Sequence, residues 1–367
     1  AVLSASAVLI SCKKDHDGEV VPPPGPQFDV ITTASLYIAA NGYYEPVYWL
    51  NDKKHILETG GADQAFAYGT EKIGSDLYIA GSYANTKGAD DRLFACYWKN
   101  GKKINLTDGL DIQQRSSASD VKWYNNALYI CGEADLDPVL WKVKDGSLEY
   151  ITRFGVAGDV VANRKAGNMQ VYNGKLYIGG CQKKIVNGNT LYTIGYWVVD
   201  ENDHPVFTVL HDNLHYALGF SISITANGVF IMGEGGTPQN PVPTVWTKTG
   251  QHPINTSFNA SHHRLHTGVT DSKGNLLLNV LDINQYQPVI WKVNPAGTHE
   301  MIRPTVPADA QGFCKSLDVK NDQLAYVYSF ERDQKSYAAY VFQGKTVELD
   351  IHKSRLSNIG SLRLFAR

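Results

Sequence analysis

Short apolar runs alternate with polar loops along most of the chain. The stretch 127–146, ALYICGEADLDPVLWKVKDG, contains the whole unit: an apolar run ending at Gly132, a polar loop, a second apolar run ending at Trp141 and Lys142, and an Asp-Gly turn. Successive side chains of a strand point to opposite faces, and here both faces are apolar. The pattern therefore predicts pairs of buried β-strands joined by tight turns.

The same unit recurs seven times at an average interval of about 49 residues, which is typical of propeller blades with four strands each. Its second strands begin at Leu36, Leu77, Leu128, Leu176, Val229, Leu276 and Ala325. Its third strands carry Trp49, Trp98, Trp141, Trp197, Trp246 and Trp291, with Val341 at the tryptophan position of the last copy. The repeats predict an all-β fold, a seven-bladed β-propeller with four-stranded blades.

The other two strands of each unit flank this pair. Segments 118–124, 167–172 and 221–225 are typical of first strands, and segments 148–152 and 346–350 are typical of fourth strands. The tail 359–365 also has the pattern of a first strand, without a repeat after it. We expect this tail to close the ring by pairing with the first blade, beside or in place of residues 28–31, since closure removes exposed sheet edges.

The repeated tryptophans lie inside strands, which favours packing between neighbouring blades, with ~2–3 kcal/mol from burial of each ring. The alternative is a ladder of tryptophans that stacks on sugars. The five cysteines form no CxxC pair, so zinc-ribbon and thioredoxin-like motifs are absent from the sequence. We expect Cys96 and Cys131 to pack as small apolar residues in strands. A disulfide bond between cysteines of different repeats is the alternative.

The lengths of the connections distinguish the two faces of the predicted disc. Short dipeptides, which suit tight hairpins, join first to second and third to fourth strands; examples are 125–126, 173–174, 227–228, 321–322, 100–101, 145–146, 249–250 and 343–344. We call their side the turn face. The other connections are longer and share the opposite side, the loop face: 82–93, 182–193, 234–243, 330–336, 108–117, 154–166, 211–219, 255–266 and 304–312. Function is expected on the loop face, because binding residues favour loops on a rigid scaffold.

Charged, histidine and tyrosine residues are frequent in the loops between blades, which are expected to converge on the mouth of a central channel. The candidate ligand-binding residues are Arg115, Asp159, Arg164, Lys165, His211, His215, Tyr216, His262, His263, Arg264 and His266, with Asp309 nearby. Coplanar, exposed rings of Tyr43, Tyr44, Tyr83 or Tyr216 would favour a glycan as the ligand.

Two alternatives give these loops a different chemistry. His262, His263 and His266 are a possible metal site, because neutral imidazole is a common ligand. Glu133, Asp135 and Asp137 with Glu234 are possible paired carboxylates for glycoside hydrolysis. Neither spacing is specific, so we predict no metal, no cofactor and no catalytic residue.

The N-terminal segment has a different character. Residues 1–10, AVLSASAVLI, are apolar but fall short of the ~20 residues that span a bilayer. They resemble the apolar region of a secretory signal, and Leu9-Ile10-Ser11-Cys12 resembles the lipoprotein box of exported bacterial proteins. That resemblance implies cleavage before Cys12 and lipidation of Cys12, with the protein held at the outer membrane of a Gram-negative bacterium, on its periplasmic or surface side. Residues 1–11 are then the signal, 12–27 a disordered, proline-rich tether, and 28–367 the propeller.

Composition narrows the class of partner. The chain is 43% apolar and 11% aromatic, which is sufficient for a buried core. Its net charge is −2, and it lacks a basic stripe, so nucleic acid is disfavoured as a partner. The sequence also lacks P-loop, HExxH and GxSxG motifs.

The sequence Tyr-Trp-Lys-Asn-Gly at 97–101 resembles repeats of uncharacterised secreted bacterial propellers, and the whole repeat loosely resembles Kelch propellers. It departs from Kelch repeats because, among the Leu-Tyr-Ile runs of the second strands, a double glycine follows only at Gly179 and Gly180. The Gly-His…Trp-Asp signature of WD-repeat propellers, the sialidase boxes and the quinoprotein docking motifs are missing. The resemblance implies fold and export without a known reaction.

The leading hypothesis is a non-enzymatic, monomeric lipoprotein that binds a glycan or an envelope protein on its loop face and contacts the membrane only through Cys12. The alternatives are a polysaccharide-active hydrolase or lyase with its site at the channel mouth, and a structural subunit of an envelope complex.

Overall fold

The computed structural model describes residues 28–86, 92–108, 110–135, 137–154, 160–161, 168–253, 263–282, 287–294, 299–304, 311–332, 335–351 and 355–367. These ranges form an all-β propeller of six antiparallel or mixed sheets. Within them, no helix has the length and apolar character needed to cross a membrane.

The first sheet combines both ends of the described chain. Its strands are β1 (Phe28–Ile38), β2 (Tyr43–Leu50), β3 (Lys53–Ile56), β4 (Gln64–Ile73), β5 (Asp76–Ala84), β6 (Phe94–Lys99), β7 (Lys102–Asn105) and the last strand, β29 (Arg355–Ala366). The order is β29-β1-β2-β4-β5-β6-β7, with β3 beside β2. β29 pairs antiparallel with β1, with Phe28 opposite Ala366. The C-terminal tail therefore pairs beside the first strand, one of the two arrangements expected.

The other five sheets each follow one stretch of the chain. The second contains β8 (Ser116–Tyr124), β9 (Ala127–Ala134), β10 (Asp137–Lys144) and β11 (Ser147–Arg153); the third contains β12 (Val160–Val161), β13 (Met169–Tyr172), β14 (Lys175–Val186), β15 (Asn189–Val199) and β16 (Pro205–Leu214). The fourth contains β17 (Leu218–Thr225), β18 (Gly228–Gly236), β19 (Pro241–Thr247) and β20 (Gly250–Pro253). The fifth contains β21 (His263–Thr270), β22 (Leu276–Asp282), β23 (Gln287–Val293) and β24 (His299–Ile302); the sixth contains β25 (Gln311–Lys320), β26 (Gln323–Arg332), β27 (Lys335–Phe342) and β28 (Lys345–Leu349).

The prediction of seven separate four-stranded blades is wrong. Five sheets stand alone, four with four strands and one with five, and the first two sequence repeats share one eight-stranded sheet. They are joined where Tyr44 of β2 pairs in parallel with Gln64 of β4, and the N–H of Tyr44 donates to the carbonyl of Asp63 at 2.9 Å. β12 adds the fifth strand by pairing Val160 with Lys184. Repeat spacing locates strands along a chain, but it carries no signal for a single bridge between repeats or for a strand recruited from a loop.

The tryptophans of the third strands are core residues, as predicted. Trp49, Trp98, Trp141 and Trp246 are 0% exposed, and Trp197 and Trp291 are 2% exposed. Trp141, for example, packs in one apolar cluster with Tyr97 of the preceding repeat. The alternative of a sugar-stacking ladder is therefore wrong. The exception is Trp123, on the first strand β8, which is 39% exposed.

The prediction that Cys96 and Cys131 pack as small apolar residues is confirmed. The alternative of a disulfide bond between repeats is wrong for four of the five cysteines. Cys96, Cys131, Cys181 and Cys314 are buried, and none of the four forms a disulfide bond. Cys12 lies outside the described residues.

The tight turns are also confirmed. Asn125, Asn126 and Asp145 have φ values of 46°, 56° and 50°, in the left-handed region that suits two-residue hairpins and that Asn, Asp and Gly adopt most readily. The turn face is therefore built from short connections. The prediction of a long loop over 182–193 on the opposite face is wrong, because β14 and β15 extend to a two-residue turn at Asn187 and Gly188.

Glycine occurs inside several second strands, near their ends, because another strand comes too close for a side chain. A Cβ on Gly132 would lie 2.0 Å from the carbonyl oxygen of Ser117, and a Cβ on Gly233 would lie 1.8 Å from that of Leu218. Each carbonyl belongs to the first strand of the same sheet. The glycines in the second strands therefore mark positions where the backbones of two strands in one sheet come close together.

Candidate ligand site around Arg115 and Glu133

The loop before β8 is fixed by one carboxylate. Asp135 accepts hydrogen bonds from the backbone N–H groups of Gln113 and Gln114, both at 2.8 Å, through Oδ1. Its Oδ2 accepts a bond from Arg153 at 3.0 Å, and its own N–H donates to the carbonyl of Arg115 at 2.8 Å. Arg115 is thereby held at the loop face, directly before the first residue of β8.

Arg115 forms an ion pair with Glu133 at the end of β9. The Arg115 Nε and the Glu133 Oε1 are 3.1 Å apart, and the side chains are 45% and 11% exposed. Glu133 lies opposite Ser117 in the β8–β9 ladder. A nearly buried carboxylate thus faces a half-exposed guanidinium, and solvent reaches the pair from the arginine side.

Tyr68 of β4 lies close to the Arg115–Glu133 pair. The β4–β5 register shifts between Ala67 and Thr70, which marks a β-bulge beside Tyr68. The carbonyl oxygen of Tyr68 accepts the hydroxyl groups of Thr33, at 2.6 Å, and Ser361, at 2.8 Å. The bulge is therefore tied to both β1 and β29.

The phenol of Tyr68 stays protonated at neutral pH. Burial raises the pKa of Tyr68, the neighbouring hydroxyls of Ser82 and Ser117 offset part of that rise, and the charge of Glu133 adds to it. A phenol, a carboxylate and a guanidinium therefore meet where β4, β8 and β9 approach one another. Together they donate and accept hydrogen bonds, the combination that sugar hydroxyl groups require.

The other sequence candidates are spread over several elements. His211 lies on β16, the outermost strand of its sheet, with Nε2 3.0 Å from the carbonyl oxygen of Thr247. His215 is exposed between β16 and β17. His263, Arg264 and His266 lie in the first strand β21. Asp159, Arg164, Lys165, His262 and Asp309 lie outside the described residues.

The carboxylates considered as a pair for glycoside hydrolysis do not lie together. Glu133 pairs with Arg115 and Asp135 with Arg153, whereas Glu234 lies on β18 in another sheet and accepts a hydrogen bond from Tyr216 at 3.4 Å. Each carboxylate thus has its own partner. In the part of the chain that the structure describes, no group of three or more His, Cys, Asp or Glu side chains could hold a metal ion.

The aromatic candidates form tilted contacts. The Tyr44 ring lies 5.2 Å from Tyr37 at 50° and 5.3 Å from Phe66 at 41°. The rings of Tyr83 and Phe94 are 5.8 Å apart at 35°. These partly exposed rings offer apolar surface to a ligand, but they do not form the coplanar set that the sequence analysis sought.

Among the residues that the structure describes, nine large apolar side chains are exposed, and five of them lie on the third sheet without forming one binding face. Val206 and Val209 of β16 are 55% and 53% exposed, and the regular register between them turns them to opposite faces. The same holds for Ile185 and Val186 of β14. This distribution does not favour assembly through one apolar patch on this sheet.

The fold agrees with known propeller structures. No protein-family model matches the chain, and no curated protein matches its sequence. A crystal structure of puromycin hydrolase is similar with a TM-score of 0.51 and 8% identity, over 77% of this chain and 46% of that chain. This chain therefore spans less than half the length of that hydrolase.

Two further similar structures have lower scores. Virginiamycin B lyase from Staphylococcus aureus has a TM-score of 0.44 at 8% identity, covering 87% of this chain and 98% of that one. A gluconolactonase from Xanthomonas campestris has a TM-score of 0.44 at 11% identity, covering 88% and 99%. At 8% identity, the similarity to puromycin hydrolase supports the fold alone.

Proposed function

We propose that the protein binds a carbohydrate on its loop face, at the channel mouth beside Tyr68, Arg115 and Glu133. The observation that carries this proposal is the Arg115–Glu133 pair at 3.1 Å, held by a fixed loop and open to solvent on one side. Preorganised polar groups next to aromatic surface are typical of small-ligand sites, because little freedom is lost on binding.

A glycan screen tests this proposal directly. The full chain carrying Cys12→Ser is applied to a glycan array, and each ligand found is titrated by calorimetry against Arg115→Met and Glu133→Gln variants. We expect each substitution to weaken binding about tenfold, since each removes a charge-assisted hydrogen bond. Lys273→Met, on an exposed turn, is the control and is expected to leave binding unchanged. Binding that survives both site variants would place the ligand elsewhere.

Catalysis at the same corner is the second candidate, favoured by one observation. Glu133 is 9% exposed and acts electrostatically on the protonated phenol of Tyr68. A buried carboxylate beside a phenol offers a base and an acid for hydrolysis or elimination. Each bound polysaccharide is therefore incubated with the protein and assayed for new reducing ends and for unsaturated products. Product formation that is abolished by Glu133→Gln and by Tyr68→Phe would assign an enzyme; bound but unchanged glycan would assign a binding protein.

The location of the protein is a separate proposal, supported by the sequence Leu9-Ile10-Ser11-Cys12 and the proline-rich segment after it. We infer that Cys12 is lipidated and holds the protein at the outer membrane, where it meets a glycan or an envelope protein as a monomer. Mass spectrometry of the mature N-terminus and detergent partition test this. The parent chain is expected to carry acyl groups on Cys12 and to enter the detergent phase, and Cys12→Ser to remain in the aqueous phase.

A further inference from the structure

Three aromatic side chains lie in contact on one face of the first sheet. The ring centroids of Tyr37 and Tyr44 are 5.2 Å apart, and those of Tyr44 and Phe66 are 5.3 Å apart. Tyr37 and Tyr44 lie directly opposite each other in the β1–β2 ladder, so their side chains share a face of the sheet. All three side chains are partly exposed. We call Tyr37, Tyr44 and Phe66 the aromatic row.

The aromatic row results from the junction that merges the first two repeats. Tyr44 of β2 pairs in parallel with Gln64 of β4. Phe66 lies two residues further along β4 and therefore on the same face as Gln64. The junction thus brings the Phe66 ring of the second repeat against the Tyr44 ring of the first.

The aromatic row lies next to the polar groups of the candidate ligand site. Phe66 lies opposite Ser82 in the β4–β5 ladder, and the Ser82 hydroxyl is a neighbour of the Tyr68 phenol. The charge of Glu133 acts on the same phenol, and Glu133 pairs with Arg115 at 3.1 Å. Aromatic surface on β2 and β4 is therefore continued by hydrogen-bonding groups on β4, β8 and β9.

A sugar offers two kinds of surface, and this arrangement can bind both. The C–H groups on one face of a pyranose ring form an apolar patch, and packing this patch on an aromatic ring removes apolar surface from water. The hydroxyl groups of the sugar need hydrogen-bond donors and acceptors. Because a pyranose ring is similar in size to a phenol ring, one sugar at the polar groups leaves the aromatic row to further sugars of the same chain.

The charges of the polar groups are already matched. The Arg115 guanidinium faces the Glu133 carboxylate, and burial raises the pKa of Tyr68, so that its phenol stays protonated. A charged sugar would have to compete with the existing ion pair to regain what it loses on leaving water. The hydroxyl groups of a neutral sugar can bind on the solvent side of the pair without separating it.

We propose that the ligand is a linear, neutral oligosaccharide of at least three pyranose units. The first unit binds Tyr68 and the Arg115–Glu133 pair, the second stacks on Phe66 and the third on Tyr44. This inference rests on the proposed carbohydrate site and names its ligand class. It also assigns Phe66 and Tyr44 as the residues that set the length of glycan preferred.

A length series tests the inference. Cello-, manno-, xylo- and malto-oligosaccharides of one to six units are titrated by calorimetry into the full chain carrying Cys12→Ser, together with the length series of any neutral glycan found on the array. We expect at least one series to bind about tenfold more tightly as the trisaccharide than as the disaccharide, since the third unit buries apolar surface on Tyr44.

Substitutions in the aromatic row assign this gain to particular rings. Tyr44→Leu stays apolar but loses the ring, so it is expected to abolish the gain and leave disaccharide binding unchanged, whereas Tyr44→Phe keeps the gain. Phe66→Leu is expected to weaken the disaccharide and the trisaccharide alike. Tyr337→Leu is the matched control, because Tyr337 is a partly exposed ring that stacks on Phe330 in the sixth sheet; both affinities are expected to stay unchanged.

The outcomes separate this inference from the proposed function. Equal binding of disaccharide and trisaccharide in every series would overturn the extended site and leave the carbohydrate site standing. A length gain that persists in Tyr44→Leu would overturn the role of the aromatic row, and binding of charged glycans alone would overturn the neutral ligand class. If every oligosaccharide and every glycan on the array fails to bind, the carbohydrate site itself is overturned.

Discussion

Asp120 and Asp318 make the same two contacts in two different sheets. The Oδ2 atom of each accepts a backbone N–H from the neighbouring sheet at 2.8 Å, from Met169 and Leu364 respectively. The Oδ1 atom of each accepts the N–H of the next residue in its own strand. Both belong to an Asp-Val-Lys triplet, so a short repeated sequence fastens one sheet to the next at two places in the ring.

Arg363 lies between these two carboxylates, and its loss is expected to destabilise the ring. Its guanidinium is 4.0 Å from Asp120 and 3.8 Å from Asp318, and its side chain is 20% exposed. Arg363→Met leaves two largely buried carboxylates without their shared cation, which we expect to lower the free energy of unfolding by about 2 kcal/mol. Urea denaturation measures the change.

A second substitution checks the electrostatic origin of this loss. Asp120→Asn keeps an acceptor for Met169 and removes one charge, so adding it to Arg363→Met should restore part of the lost stability. Lys345→Met, at an exposed position, is the control with no expected effect. If the double variant is less stable than the single one by the full cost of Asp120→Asn alone, the two residues act independently.

Gly132, near the end of β9, is expected to tolerate no side chain. Gly132→Ala places a Cβ 2.0 Å from the Ser117 carbonyl oxygen, and the two paired strands leave the backbone little room to move. We expect a loss of about 3 kcal/mol in the free energy of unfolding, or failure to fold. Gly250→Ala is the matched control, because its nearest atoms lie at 3.5 Å. A Gly132→Ala chain as stable as the control would contradict the close approach.

The sequence predicted those features that depend on local patterns. The buried Trp141 and Cys131 follow from apolar runs whose two faces are both covered, and the turn at Asn125 and Asn126 follows from the conformational preference of Asn. These features require no knowledge of what lies across the sheet. Strand positions in most repeats could therefore be derived from the sequence.

Features that depend on the register between strands could not be predicted from the sequence. The shift between Cys314 and Ser316 lies inside an ordinary strand pattern, and it results from one extra residue relative to β26. The parallel pair of Tyr44 and Gln64, which merges two repeats into one sheet, likewise has no local signal. At the candidate ligand site, Arg115 could be predicted because it lies in a loop before a predicted first strand. Nothing in the sequence indicated Tyr68.

The four cysteines of the propeller are expected to be unreactive in the folded chain. All four are buried and outside any disulfide, and burial raises the pKa of Cys314 to about 12, so the reactive thiolate is scarce at pH 8. In the Cys12→Ser chain, Ellman's reagent should detect no fast thiol under native conditions and four after unfolding, the five cysteines of the sequence less Cys12. A native thiol that reacts as fast as free cysteine would contradict the buried placement.

The turn between β15 and β16 should make stability depend on pH. Asp203 of this turn accepts hydrogen bonds from the Tyr129 hydroxyl and, at 2.9 Å, from Lys142 of the neighbouring sheet. Burial alone would raise the pKa of Asp203, but these bonds outweigh burial and hold the pKa below its ordinary value. A lowered carboxyl pKa stabilises the fold above the unfolded pKa of about 4, and this contribution is lost as the pH falls through the folded pKa.

Asp203→Asn tests this dependence, because it retains an acceptor and the turn conformation but has no charge to titrate. We expect it to be less stable than the parent by about 1 kcal/mol at pH 7, with the difference shrinking as the pH falls below 4. Urea denaturation at a series of pH values measures both chains, with Asp145→Asn in the exposed turn after β10 as the matched control. A difference that stays constant down to pH 3 would show that Asp203 acts through shape, since protonation would then remove nothing.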